Sequence, residues 1–117
     1  MPLSFAKIKA RILGLRYELS FSFVGPSVIQ RLNRTYRKKN TPTDVLAFPL
    51  GRAEGEIIMC KSAIRKNARL FGMSAAEYRT FLFIHAALHL KGHYHGRIME
   101  RLEDRWCSVF KTPTPNR

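Results

Sequence analysis

Hydrophobic and polar positions divide the chain into helical and strand-like segments, with no repeat, low-complexity tract or linker between them. Apolar residues at helical spacing predict a short basic helix over residues 3–13. Alternating apolar and polar residues over 17–23 predict a half-buried strand. Gly25-Pro26 ends this strand, and Ser27 is expected to cap a second helix that carries apolar residues along one face.

The middle of the chain predicts two paired strands followed by a helix. A short buried strand is expected over residues 44–49, and residues 56–59 are expected to lie beside it in the antiparallel direction. A loop around Gly51 and Gly55 is predicted to join them. Residues 61–71 then have helical periodicity.

Two helices are predicted for the last third of the chain. Ser74 and Glu77 have the spacing of a capping box, which marks the start of a helix that continues through an almost wholly apolar stretch, 81–90. A final amphipathic helix is expected over 97–110, and its packing face is predicted to be Ile98, Leu102, Trp106 and Val109. The tail, 112–117, is expected to be frayed.

These elements predict a single α+β domain over residues 1–117, with a small mixed β-sheet packed against helices. The central helix is expected to be buried. An apolar content of 45% and a charged content of 25% are typical of a globular protein. We find no secretory signal, and the longest apolar run is too short to span a bilayer, so a cytoplasmic protein without a membrane partner is expected. Cys60 and Cys107 are expected to be buried free thiols.

The charge balance changes this picture by indicating an anionic partner. The formal net charge is +13, and for a small domain such an excess favours nucleic acid. Basic residues form a stripe on each of two predicted helices and a short run after the first of them. A solvated helix face would explain either stripe alone, but together they favour an RNA-binding surface of Arg31, Arg34, Lys38, Lys39, Lys61, Arg65 and Arg69.

Four histidines within eleven residues indicate a metal site. His85 and His89 are four residues apart, so a helix projects both imidazoles from one face. Gly92 can end that helix in a left-handed turn and bring back His95 as a third ligand. His93 is a rival third ligand, but it requires the helix to continue through Gly92. Three nitrogen ligands leave one position on zinc for water, which predicts one catalytic Zn²⁺ per chain.

With these residues laid out, the chain resembles the YbeY family of bacterial endoribonucleases, also described as ribosomal RNA maturation factors. The family's zinc motif, His-Gly-x-Leu-His-Leu-x-Gly-Tyr-Asp-His, is matched at unbroken spacing by His85, Leu88, His89, Leu90, Gly92 and His95. Residues 32–37 and 42–49 match a second motif, and residues 55–60 a weaker third one. The resemblance covers residues 17–110. Ala86, Ala47 and His93-Tyr94 depart from the family pattern, and the N-terminus looks short.

The resemblance implies a zinc-dependent endoribonuclease specific for single-stranded RNA, with a role in ribosomal RNA maturation and ribosome quality control. Ribosomal RNA, a ribosomal subunit and ribosome-associated proteins are then the expected partners. Arg37 lies in the second motif, and we predict that it binds the scissile phosphate. A guanidinium suits this role because it can grip phosphate through two parallel hydrogen bonds.

Two alternative functions remain open at this stage. The histidine spacing is also similar to that of metzincin proteases, in which a glutamate follows the first histidine and acts as general base. That position is Ala86 here, which cannot accept a proton. A non-catalytic RNA-binding factor, in which zinc only stabilises the fold, is the second alternative.

Overall fold

The order of secondary-structure elements follows the sequence pattern closely. A computed structural model describes residues 1–38 and 43–115. The helices in these ranges are α1 (Leu3–Ile12), α2 (Pro26–Arg37), α3 (Lys61–Leu70), α4 (Ala75–Leu90) and α5 (Arg97–Val109). The strands are β1 (Glu18–Phe23), β2 (Val45–Gly51) and β3 (Glu54–Met59). The predicted α+β class is therefore confirmed.

The three strands form one mixed sheet in the order β1-β3-β2. β1 runs parallel to β3, and β2 pairs with β3 in the antiparallel direction, as predicted. Because side chains alternate between the two faces of a strand, β3 contributes to two separate cores. Ile57 and Met59 belong to the larger one, whereas Ile58 packs in a smaller cluster with Ile29 of α2 and Leu46 of β2. Helix α2 thus lies on the opposite face of the sheet from the large core.

Helix α4 is the centre of the large core. It contacts α1, α3, α5 and both β2 and β3. The Phe83 ring stacks on Phe5 of α1 with 4.1 Å between ring centroids. The predicted capping box is present, because the Ser74 side chain accepts a hydrogen bond from the Glu77 backbone and the Glu77 side chain accepts one from the Ser74 backbone. The expectation of a buried central helix is confirmed.

Two local predictions were wrong around glycine residues. Helix α2 begins at Pro26 with Gly25 at the N-cap, rather than with Ser27, since proline is pre-organised for the first helical position. Gly55 lies within β3 rather than in a loop, opposite Pro49. A Cβ atom at position 55 would come within 2.4 Å of the Tyr17 hydroxyl oxygen and 2.9 Å of a methyl carbon of Leu90, so both side chains pack closely against this glycine.

The final helix buries only part of the face expected, because Leu102 and Trp106 pack against the large core as partly buried residues while the other two predicted residues do not. Met99, Glu103 and Cys107 are its buried residues, whereas Ile98 is 69% exposed and Val109 is 45% exposed. The prediction chose the more apolar face of the helix and therefore missed the face that contains the carboxylate of Glu103.

The tail also packs further than the frayed segment expected for 112–117. The backbone N–H of Thr112 donates to the carbonyl oxygen of Cys107 over 2.9 Å, and Pro115 is buried. Residues 116 and 117 lie outside the described part of the chain. Cys60 and Cys107 are both buried thiols outside any disulfide, as predicted. None of the helices in the described ranges combines the length and apolar character needed to cross a membrane.

Candidate functional site

The two helical histidines of α4 face a cavity of about 740 Å³. Their neighbours on the helix, including Ile84, Ala86 and Leu88, are buried, whereas His85 and His89 are only half-buried. The Nε2 atoms of the two imidazoles are 3.0 Å apart. Two nitrogens bound to one tetrahedral zinc at 2.0–2.1 Å would be about 3.3–3.4 Å apart, so this separation is close to that of a shared metal.

A tight turn after α4 returns the chain to the same cavity. Gly92 has φ +103°, and its backbone N–H donates to the carbonyl oxygen of His89 over 2.9 Å. The His95 ring then lies 5.4 Å from the His89 ring and 5.9 Å from the His85 ring, measured between centroids. His95 lines the cavity, whereas His93 is not among the described residues that line it. The geometry therefore favours His95 over His93 as the partner of the helical pair.

The three rings are neighbours without forming a finished coordination sphere. Within residues 1–38 and 43–115, no three His, Cys, Asp or Glu side chains are positioned to hold a metal ion. The His85 and His89 nitrogens already converge, so the His95 side chain is the one that must move to complete a three-nitrogen site.

Glu103 of α5 supports one of the helical histidines from behind. Its Oε2 atom accepts a hydrogen bond from Nδ1 of His85, and its side chain is 4% exposed. A buried carboxylate needs such a partner, because an unpaired buried charge is strongly unfavourable. With the Nδ1 proton directed at Glu103, the Nε2 atom of His85 presents its lone pair to the cavity. A carboxylate behind a histidine is the arrangement that orients zinc ligands, so the residues present fit a zinc ion.

The protonation state of His89 also suits a metal ligand. The pKa of His89 is lowered to about 4, first by burial and then by the neighbouring His85 and His95 rings and the Arg37 guanidinium, while a backbone hydrogen bond with His93 opposes these effects. The imidazole is therefore neutral at pH 7 and can donate a lone pair to a metal without first losing a proton.

Arg37 reaches the cavity from helix α2, which packs on the opposite face of the sheet from α4. It is the last residue of α2, and Lys38 ends the helix in the left-handed conformation with φ +57°. The Arg37 side chain lines the cavity that contains the three histidines. Its charge contributes to the lowered pKa of His89, so the guanidinium and the imidazole lie within electrostatic reach of each other.

The other basic residues lie outside this cavity. Those within the described ranges are all exposed, and none of them lines it: Arg31, Arg34, Lys38, Lys61, Arg65 and Arg69. Lys39 falls outside the described residues. The structure thus separates Arg37 from the two basic stripes, which remain a predicted RNA-binding surface.

Sequence reasoning missed the acidic residues of the site. Glu103 and Asp44 are buried, and both line the cavity. Asp44 Oδ2 accepts hydrogen bonds from the Tyr78 hydroxyl over 2.7 Å and from Asn67 Nδ2 over 2.9 Å, which ties β2 to α3 and α4. Burial and the bond to Asp44 raise the pKa of Tyr78, so its hydroxyl stays protonated as a donor. The sequence signal that could have identified Glu103 is its spacing of four residues from both Met99 and Cys107, which places all three on one face of α5.

The family is decided by a match along nearly the whole chain. The family described as endoribonuclease YbeY matches residues 3–109. The chain belongs to the endoribonuclease YbeY family. This confirms the resemblance predicted from the sequence, and the description of the family is that of RNA-cleaving hydrolases.

Individual relatives agree with this assignment. The chain is similar to proteins named endoribonuclease YbeY from Solibacter usitatus, Carboxydothermus hydrogenoformans and Bordetella petrii. The identities are 40%, 36% and 37%, over 77%, 79% and 86% of this chain. The matches cover 64%, 71% and 71% of the relatives, so the chain spans about two thirds of their length.

A solved structure also resembles the fold. The solution structure of a Thermotoga maritima protein aligns with 97% of this chain and 87% of its own, at a TM-score of 0.62 and 26% sequence identity. The overall fold of this chain therefore resembles one already observed by experiment.

Proposed function

We propose that this YbeY-family chain is a zinc-dependent endoribonuclease that cleaves single-stranded RNA at the histidine cavity. The observation that carries the proposal is the convergence of His85 and His89, 3.0 Å apart at Nε2, with His95 and Arg37 lining the same cavity. Family membership supplies the reaction class. The buried contact between Glu103 and His85 supports the metal, because it fixes one imidazole with its lone pair toward the cavity.

The side chains divide the chemistry between them. His85, His89 and His95 would hold one Zn²⁺, which when bound would act as a Lewis acid toward a phosphate oxygen and activate water. Glu103 orients His85 and balances the positive charge. Arg37 lines the same cavity, where a planar guanidinium can hold a phosphate by two hydrogen bonds and offset charge that develops on its oxygens.

The charge of the chain supports RNA as substrate and a ribosomal context. A net charge of +13 attracts polyanions over a long range, and the exposed stripes on α2 and α3 add a surface beyond the cavity. We propose that the substrate is ribosomal RNA, bound alone or within a ribosomal subunit, and that the protein acts in the cytoplasm on ribosome maturation and quality control.

The two alternative functions make different use of the same cavity. A metzincin-like peptide hydrolase would need a carboxylate after the first histidine, but that residue is the buried Ala86. A non-catalytic RNA-binding factor would need only the metal and the basic surface. The arginine that lines the same cavity as the histidines favours phosphate chemistry over both, because structural zinc requires no such group.

A comparison of RNA cleavage with peptide cleavage by the same protein tests the proposed function. The zinc-loaded protein should cut an unstructured oligoribonucleotide and leave an unstructured peptide intact. His89→Ala should abolish RNA cleavage because it removes one metal ligand, while Leu15→Ala, at a position 84% exposed and outside the cavity, should cut as the parent does. Peptide cleavage would favour the hydrolase alternative. RNA binding without cleavage by the zinc-loaded parent would favour the non-catalytic factor.

A further inference from the structure

The mouth of the histidine cavity carries two exposed tyrosines. Of the four tyrosines in the chain, Tyr17 and Tyr78 are buried, at 8% and 6% exposure. Tyr36 is 66% exposed and Tyr94 is 71% exposed, and both line this cavity. The two exposed tyrosines therefore both lie at the candidate active site.

Each of these rings has a neighbour that places it beside the reacting groups. Tyr36 directly precedes Arg37 at the end of α2, and its ring contacts Phe48 of β2 edge-on, with 5.4 Å between centroids. Tyr94 lies in the turn after α4, with its ring 5.8 Å from that of His89 and tilted by 55°. One tyrosine thus adjoins the arginine and the other adjoins the histidines.

An exposed aromatic ring beside a phosphate-binding group suits an unpaired nucleotide. Every base has a π-face, so a ring in solvent can stack on a base of any identity. Bases within an A-form duplex are already stacked on their neighbours and cannot present a face to a side chain, whereas single-stranded bases can be splayed out. A pair of such rings therefore selects for the single-stranded state more than for sequence.

We propose that Tyr36 and Tyr94 are stacking platforms for unpaired RNA bases on either side of the phosphate held between Arg37 and the histidines. The assignment rests on the proposed function, because it takes RNA as the ligand of the cavity. It adds two binding residues and a physical reason for single-strand selection. The cavity volume of about 740 Å³ lies within the range of small-molecule sites, which is sufficient for a nucleotide.

Replacement of each ring by a smaller or an equivalent side chain tests the stacking. Binding is measured with the full chain in chelator, so that no RNA is cut, using a single-stranded oligoribonucleotide with a fluorescent adenine analogue at successive positions. Tyr36→Ala and Tyr94→Ala should each weaken binding about 5-fold or more, and each should lose fluorescence quenching at a different position. Tyr36→Phe and Tyr94→Phe should bind as the parent does, because they keep the ring.

Controls separate stacking from other roles and from failure of the proposed function. Leu15→Ala removes an equally exposed apolar side chain away from the cavity and should leave binding unchanged. Phenylalanine variants as weak as the alanine variants would overturn the stacking role and assign the effect to the hydroxyl groups. Parent-like affinity in both alanine variants would overturn this inference alone. A parent that bound no RNA at all would overturn the proposed function together with it.

Discussion

At the scale of single residues, the His85–Glu103 contact pairs a buried carboxylate with a proposed metal ligand. Glu103 lies on the buried face of α5 and accepts the Nδ1 hydrogen of His85, while Nε2 of the same ring faces the cavity. A cation bound at the cavity would contact the Nε2 side of the imidazole, and the Glu103 carboxylate on the Nδ1 side would balance its charge. The same pairing fixes the ring orientation before a metal arrives.

Substitution of Glu103 should therefore weaken zinc binding without removing a ligand. We expect Glu103→Gln to lower zinc affinity about 10- to 100-fold, the range seen when outer partners of zinc ligands are changed, because the amide keeps an acceptor but loses the charge. Competition with a colorimetric chelator measures this affinity. Asp104→Asn is the matched control, since it removes the same charge from the next residue of α5, which lies outside the histidine cavity. Equal zinc affinity in Glu103→Gln and the parent would contradict the supporting role.

Arg37 should affect the cleavage rate more than the affinity for RNA. We expect Arg37→Ala to lower the single-turnover rate at saturating protein by about 10²-fold, the scale for loss of one donor that stabilises developing charge. Arg37→Lys should restore only part of the rate, because lysine supplies charge without the planar fork. Arg31→Ala, an exposed residue of the same helix outside the cavity, should lower affinity at most. A rate loss in Arg37→Ala that only follows its lost affinity would reduce Arg37 to part of the binding surface.

The sequence predicted the histidines and the arginine because spacing and family motifs identify them individually. Glu103 and Asp44 were missed because their roles arise from long-range contacts: His85 and Glu103 are eighteen residues apart, and Tyr78 and Asp44 are thirty-four apart. Nothing in local periodicity distinguishes a buried carboxylate from a solvated one. Only the packing of α5 against α4 and of β2 against α3 and α4 reveals these partners.

At the scale of elements, helix α4 and the turn after it build the site. An apolar helix interrupted by two histidines one turn apart has one face that cannot be buried without polar partners. Its end at Leu90, followed by Gly92 with φ +103°, returns His95 to that face. The capping residues and Gly92 were predictable because their hydrogen bonds join residues only a few positions apart in the sequence. The buried face of α5 was not, since it depends on what α4 presents to it.

Helix α3 provides the test of the basic surface. Lys61, Arg65 and Arg69 are exposed on one helix and outside the cavity, so their replacement by alanine should weaken RNA binding across sequences alike and flatten its dependence on salt. A salt titration of binding by the triple variant measures both effects. Cleavage of saturating RNA should stay near the parent rate. Affinity and salt dependence equal to those of the parent would show that this stripe is only a solvated face.

At the scale of the whole molecule, the sheet lies between the helix that carries Arg37 and the helix that carries the two histidines. Helix α2 packs on one face of the sheet and carries Arg37 at its end, while α4 packs on the other face and carries the histidines. The cavity lies where the end of α2, the start of β2 and the face of α4 meet. The α+β class and the antiparallel pairing of β2 with β3 followed from the sequence pattern. This meeting point did not, because it depends on the crossover that brings β1 beside β3.

The central claim is that zinc held by the three histidines is required for RNA cleavage, and a metal titration tests it most directly. Protein stripped by a chelator should be inactive, and cleavage of a single-stranded oligoribonucleotide should return in proportion to added zinc and level off at about one equivalent per chain. Elemental analysis of the reloaded protein should give the same ratio, and a His85→Ala/His89→Ala double variant should neither retain zinc nor regain activity. Full cleavage by the metal-free protein, or a full zinc content in the double variant, would contradict the account.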